Sequence, residues 1–262
     1  MELPPTRKFA LIVEYDGTSY HGFQVQVGEL TIQGEIERAL RKITGERIRI
    51  TGAGRTDAGV HAKEQVISCK TSSSLSLQTL IRALNFYLVP NIAIKGGDTV
   101  EESFNARRDA TSREYRYTIL NSSTTSPLRR NFTYFVPVAL DIEAMNEASR
   151  ALLGRHDFAS FTGAMKGKGT VRNVVKADVS REGDEVFFDM VADAFLPRQV
   201  RSTVGSLIRV GLGKQGVEAF KEMVRAKRFG LAAPVAPACG LCLMKVNYPE
   251  HKFSKRQAYE NL

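Results

Sequence analysis

Cysteine is scarce in this 262-residue chain, with three in all, and tryptophan is absent. Three thiols cannot build the disulfide framework of a secreted module, and such usage points to a reducing cytoplasm. No apolar run approaches the ~18–20 residues that span a bilayer, so no membrane segment is expected. Met1 to Lys8 lacks a cationic stretch followed by an apolar core, so no secretory signal is expected either. Acidic residues are outnumbered: 28 Asp and Glu stand against 37 Lys and Arg, a net charge of +9. That excess suits a polyanionic partner such as nucleic acid and fixes nothing about fold. With 43% hydrophobic and 25% charged residues, the composition is that of an ordinary globular chain. The length suffices for a core without disulfides or structural metals.

Strand-like and helix-like segments alternate along the chain. Phe9, Leu11 and Val13 read as a buried strand, followed by the turn Asp16-Gly17-Thr18. Ile32, Ile36, Ala39, Leu40 and Ile43 recur at helical spacing up to Gly45. Arg47 to Thr51 and Val66 to Cys69 read as strands, and Leu77 to Leu88 as a helix ending before Pro90. Beyond residues 105–112 the style repeats. Tyr115 to Leu120 and Phe132 to Val136 are strand-like, and Asp141 caps a helix whose inner face is Ile142, Met145, Ala148 and Leu152. Val174 to Ser180 and Glu185 to Val191 form a hairpin through Glu182-Gly183-Asp184. Helices follow over Arg198 to Gly211 and Gly216 to Lys227, and Leu241 to Val246 is a closing strand. Thr71 to Ser76 and Asn121 to Ser126 read as surface loops. The expectation is an α+β fold of two halves, 1–105 and 106–250, with a polar tail at 251–262.

Three segments carry chemistry. Gly52 to His61 sets three glycines around Arg55, Thr56 and Asp57, a tight backbone that presents polar side chains or forms a plain turn. It lacks the Gly-Lys-Ser/Thr ending of a phosphate loop and the third glycine of a dinucleotide loop. Phe104-Asn105-Ala106-Arg107 leads to Arg113-Glu114-Tyr115-Arg116-Tyr117, where Tyr115 and Tyr117 share one strand face and Arg116 takes the other. Aromatics among arginines suit base stacking with phosphate contacts, and equally suit a strand with two core tyrosines. Arg201 sits at the edge of an apolar helix stripe, where it is either solvated or paired with a carboxylate. Basic residues crowd these segments. Asn105 to Arg130 holds six arginines against two acids, Met165 to Lys176 four basic residues and no acid, and Arg198 to Arg228 eight against two. Cys239-Gly240-Leu241-Cys242 has no second pair, so buried small residues explain it better than a metal. No Gly-x-Ser-x-Gly elbow occurs that would draw His61 into a serine triad.

Gly54-Arg55-Thr56-Asp57-Ala58-Gly59-Val60-His61-Ala62 resembles the signature of TruA-type tRNA pseudouridine synthases. Further matches follow in the family's order: Val13 to Gly17, His21 to Gln24, Ile32-Gln33, Phe104 to Arg107, Tyr115 to Tyr117, Leu153 to Phe158, Thr170 to Arg172, and Val200-Arg201 with Val204-Gly205. Phe23 stands where the family often has Trp, Asn105 where His is common, and Leu196 to Gln199 replaces a more usual stretch.

The resemblance implies RRM- or ferredoxin-like halves sharing a continuous, largely antiparallel sheet flanked by helices. It implies isomerisation of uridine to pseudouridine at positions 38 to 40 of the tRNA anticodon stem-loop, by a homodimer. The lack of a plausible ligand cluster or nucleotide loop adds the expectation that no metal or organic cofactor is needed. The resemblance gives Asp57 the role of nucleophile or base, with Arg201 as its charge partner. Tyr115 becomes a platform for the flipped base, and Arg55, Arg107 and Arg201 become substrate contacts. Two other classes stand beside it: a non-catalytic RRM-like RNA-binding protein, and an acid/base hydrolase using Asp57 and His61.

Overall fold

Phe9 to Val13 are buried without interruption in β1 (Arg7–Tyr15), as befits a strand covered on both faces. The computed structural model describes residues 6–164, 169–232 and 234–253. The chain is α+β and forms two units, Met1–Thr111 with Leu243–Leu262, and Ser112–Cys242.

In the first unit β1 is followed by α1 (Ile32–Thr44), β2 (Thr51–Gly52), β3 (His61–Thr71), α2 (Leu77–Tyr87) and β4 (Ile92–Val100). β1 pairs antiparallel with both β3 and β4, so that Leu11 faces Ile67 on one side and Gly97 on the other. β2 pairs with β3. Of the α1 stripe that the spacing predicts, Ile32, Ile36, Ala39 and Leu40 are buried and Ile43 is half-buried. The Thr31 hydroxyl accepts the Gly34 N–H at its start, and Gly45 in the left-handed region (φ 74°) ends it. Ser76 caps α2, which stops at Leu88 before Pro90.

Arg47 to Thr51 does not form the expected strand; only Thr51 and Gly52 pair, with β3. Ile48 and Ile50 are buried, yet the backbone at Ile50 is held by helix side chains. Its N–H donates to Glu37 Oε1 (3.1 Å), and its carbonyl accepts from Gln33 Nε2 (3.4 Å). Apolar alternation reports burial, and here α1 supplies the hydrogen bonds that a neighbouring strand would otherwise supply.

The second unit contains β5 (Ser112–Leu120), β6 (Tyr134–Phe135), α3 (Ile142–Ser149), β7 (Gly154–Asp157), β8 (Val171–Glu182), β9 (Glu185–Ala192), α4 (Gln199–Gly211) and α5 (Val217–Ala226). β10 (Leu241–Asn247) begins at its end, runs mostly in the first unit, and lies beside β3. β5, β9, β8 and β7 follow one another in an antiparallel sheet, and β6 joins β5 in parallel. The β8–β9 hairpin turns where expected, and α4 buries Val200, Val204, Leu207 and Ile208. Asp141 caps α3 by accepting the Ala144 N–H at 2.9 Å.

Two expectations change here. The strand expected over Phe132 to Val136 shrinks to Tyr134–Phe135, because the N–H groups of Phe132 and Thr133 both turn back to Arg129 O (2.9 and 3.0 Å). The loop expected on the surface from Asn121 begins with a buried side chain. Asn121 Nδ2 donates to Val136 O (2.8 Å) and Val138 O (2.7 Å), while Oδ1 accepts the Leu140 N–H (3.2 Å). One amide thereby fixes the whole approach to α3. Residues 254–262 of the expected tail lie outside the described residues.

Asn121→Ala strands these groups in a site with little water, at about 1–3 kcal/mol for each group left unpaired. A fall of roughly 2–4 kcal/mol in urea unfolding is expected, against a change within about 0.5 kcal/mol for exposed Ser123→Ala.

Candidate functional site

The loop from Gly54 to His61 leaves β2 and enters β3, and a second segment, Tyr15 to Phe23, holds it on both flanks. Phe23 N donates to Thr56 O (3.1 Å) and Gly59 N donates to Tyr20 O (3.2 Å), so main-chain bonds bracket Asp57. Val60 N donates to Asp57 O (3.2 Å), closing the turn from within. The Thr56 side chain is buried and bonds Tyr15 Oη at 2.8 Å. Gly22 (φ +91°) lies so close that a Cβ there would stand 2.7 Å from Thr56 O, and one at Gly17 would stand 2.0 Å from Val60 O. The result is a backbone with almost no freedom, carrying a half-buried Asp57 and an exposed Arg55.

His61 is spoken for by the same segment. Its Nδ1 accepts the Gly17 N–H at 3.1 Å and lies 3.2 Å from Asp16 Oδ1, and the ring is buried. Burial works against the charge of Asp16, but hydrogen bonds from the Thr18 hydroxyl and amide, with His61 nearby, hold its carboxyl below the ordinary range. His61 anchors the Asp16–Gly17 turn, a positioning duty that accounts for its buried ring.

Two of the three departures from the family pattern have local structural roles, Phe23 in packing and Asn105 in shaping a turn. Phe23 is buried, faces Tyr15 at a ring separation of 6.3 Å, and covers Gly52, where a Cβ would come within 2.5 Å of its ring. Asn105 Oδ1 accepts the N–H groups of Arg107 and Arg108 (3.0 Å each), and its own N–H donates to Asp109 Oδ2 (2.9 Å). It therefore shapes the exposed turn that carries Arg107.

Tyr115 and Arg201 belong to the second unit. Arg113, Tyr115, Tyr117 and Ile119 are buried on one face of β5, as the alternation predicts. Tyr115 meets Phe195 edge-on, with ring centroids 5.0 Å apart. Tyr117 lies deeper and donates to Pro237 O (2.8 Å), so only one of the two tyrosines is a pure core residue. Half-buried Arg201 donates from Nε to Ala236 O (2.8 Å) and accepts the Ala236 N–H at its own carbonyl (3.1 Å), which ties α4 to that segment.

Several of the basic residues expected to meet phosphates are internally neutralised. Arg116 forms a two-pronged pair with Asp189 (2.8 Å for both bonds) and lies over the Phe187 ring. Arg129 pairs with Asp184 and Glu185, and Lys221 with Glu147 and Glu218. Arg107, Arg108, Arg130, Arg198 and Arg209 remain exposed. Lys166 and Lys168 lie outside the described residues.

Cys69 is a buried thiol, whereas Cys239 and Cys242, expected to be buried small residues, are half-buried. Burial pushes Cys69 up to about 12 and also raises Cys239, whose Sγ donates to Thr133 O. Gly240 lies under Tyr117, whose ring a Cβ would meet at 2.6 Å. Among the described residues no group of three or more His, Cys, Asp or Glu could hold a metal ion. No helix among them is long and apolar enough to cross a membrane.

One residue of the loop's support escapes the sequence reading. Gln65 has no exposed surface, and its amide accepts the Gly54 N–H (3.3 Å) while donating to Gly54 O (3.0 Å). The available signal was a carboxamide beside the apolar run Val66-Ile67.

A family profile described as tRNA pseudouridine synthase matches residues 11–107 and 148–249. The tRNA pseudouridine synthase A of Pelobacter propionicus is 41% identical over 243 residues, covering 92% of this chain and 100% of that protein. The tRNA pseudouridine synthase A 2 of Clostridium perfringens is 41% identical over 245 residues, with coverages of 92% and 100%. The tRNA pseudouridine synthase A of Xanthobacter autotrophicus is 40% identical over 243 residues, with coverages of 92% and 99%.

Gln65→Leu keeps the volume and removes both bonds to Gly54. Stability should fall by about 1–3 kcal/mol. Amide exchange at Gly54 should accelerate, while Ala53, whose N–H still donates to Val66 O (2.8 Å), should change less.

Proposed function

The chain belongs to the tRNA pseudouridine synthase family, and from that membership we propose that Asp57 is the residue on which its isomerisation of uridine to pseudouridine in tRNA turns. The observation that carries this reading is the immobilised loop around Asp57, a half-buried carboxylate on a backbone bonded on both flanks. The reaction breaks the N1–C1′ bond of uridine and joins C5 to C1′. A proton leaves C5 and N1 gains one, so nothing is oxidised and no donor is consumed. A carboxylate serves such chemistry as nucleophile or as base, and either role gains from fixed geometry. A loop that need not reorganise spends no free energy on ordering at the moment of reaction.

The uridine must leave the stack to be rotated, and Tyr115 is our platform for the extruded base. Arg55, Arg107 and Arg201 contact the substrate RNA in this reading. Phosphate contacts carry affinity, and RNA shape carries choice. We further propose the anticodon stem-loop, positions 38 to 40, as target, a homodimer as the working form and the cytoplasm as location. A purely RNA-binding module leaves the bracketed Arg55-Thr56-Asp57 loop without a purpose. A hydrolase would draw on His61, which is committed to the Asp16–Gly17 turn.

Asp57→Asn keeps size and hydrogen-bonding capacity and removes both nucleophile and base. Pseudouridine formation in tRNA should vanish, while tRNA affinity and the melting curve stay near wild type. A folded, tRNA-binding variant that still turns over at the wild-type rate would refute the assignment.

Affinity for tRNA should also fall steeply with salt, because each neutralised phosphate releases counterions. A flat titration between about 50 and 200 mM salt would contradict the phosphate-led binding assumed here.

A further inference from the structure

One short stretch of the second unit, residues 195–199, combines backbone strain with a buried polar side chain. Arg198 is one of two non-glycine residues in the left-handed region among the described residues, at φ 60°. It occupies the cap of α4 and offers no side-chain capping bond. Gln199, the next residue, is 1% exposed. Its Oε1 accepts the Leu196 N–H at 2.8 Å, and its own N–H donates back to Leu196 O at 3.1 Å. Its Nε2 is buried with no hydrogen-bond partner among the described residues. Thr162 Oγ1 holds the Pro197 carbonyl at 3.0 Å.

Such features are costly. A left-handed arginine and a buried, unmatched donor each oppose folding by about 1–3 kcal/mol. An apolar residue at 199 would avoid the second cost, but it could not accept the Leu196 N–H. The carboxamide is therefore explained by what its oxygen does: it closes a turn that would otherwise relax out of the left-handed conformation. That turn is entered directly from Phe195, whose ring stands edge-on to Tyr115 at 5.0 Å and 85°. An aromatic ring in that orientation fixes the tilt of its neighbour, because displacement loses both contact and quadrupole attraction.

We propose that Gln199 is a positioning residue for the base platform: through Leu196 it holds Phe195, and through Phe195 it sets the plane of Tyr115. This rests on the reading of Tyr115 as the surface that receives the flipped uracil. Gln199 touches no substrate. Its effect falls on the productive orientation of the base, after the RNA has bound through its phosphates. Small misplacement of a reacting group lowers turnover far more than affinity.

The test uses full-length protein and tRNA transcript under steady-state conditions. Gln199→Leu should lower kcat roughly 10-fold and leave KM within about 2-fold. The Tyr115 ring resonances should move in a spectrum of selectively labelled protein, since the Phe195 ring current no longer falls on them in the same way. Phe195→Leu, which leaves the Gln199 bond intact, should give a similar loss. The double variant should be no worse than the poorer single one, because both act along one line. A Gln199→Leu enzyme with unchanged kcat and unmoved Tyr115 signals would overturn the proposal. So would losses that multiply in the double variant. Should Gln199→Leu fail to fold, Phe195→Leu decides: full kcat there refutes the proposed line of action. Absence of pseudouridine formation by the wild-type protein would instead refute the functional reading itself.

Discussion

Two main-chain hydrogen bonds, Phe23 N–H to Thr56 O and Gly59 N–H to Tyr20 O, bracket Asp57 and dictate much of what surrounds it. Backbones that approach so closely exclude side chains, so Gly17 and Gly22 line the contact. The polar groups that the approach buries must be matched. Tyr15 meets Thr56, His61 meets the Asp16–Gly17 turn, and Gln65 meets Gly54. The loop is thus held by the Tyr15 to Phe23 segment that leads out of β1 and by Gln65 of β3, as well as by its own Val60–Asp57 turn. Strands β1 and β3 are in turn held by a continuous apolar core. A catalytic carboxylate on a less constrained loop would spend binding energy on being ordered in each cycle.

The positive charge of the chain has two destinies. Arg116, Arg129 and Lys221 are absorbed into ion pairs with acids from neighbouring elements of their own unit. The planar match of Arg116 to Asp189, with Phe187 beneath the guanidinium, makes that side chain a fold element. Arg108 and Arg130 lie in turns, exposed, and in the proposed function they are available to phosphates. Counting charges along the chain cannot separate these groups, because the acids that neutralise Arg116 and Arg129 lie 73 and 55 residues away.

Local periodicity was a reliable guide wherever one element buries one face. The stripes of α1 and α4, the alternation on β5 and the β8–β9 hairpin all follow it, because each is set by side chains near in sequence. It misled at Ile48 and Ile50, where burial is real but the backbone partners come from α1. It also misled at Asn121, whose serine- and threonine-rich neighbourhood reads as surface while its own amide is buried. Gly154 to Asp157 read as a motif and is also a strand, because β8 supplies its partner.

By itself the amino-acid sequence determined the α+β character, the anionic partner class and, through the Gly54 to Ala62 motif, the family. These follow from composition, period and the order of short motifs, which are properties of neighbours along the chain. Tertiary structure alone decided that His61 anchors a turn, that Gln65 clamps Gly54, that Phe23 serves packing and Asn105 shapes a turn, and that Gln199 closes the turn beside Tyr115. Most of these duties depend on a hydrogen bond or contact to a group that folding brings near. Residue identity states what a side chain can donate, accept or cover, and only the fold determines what stands within about 3 Å of it.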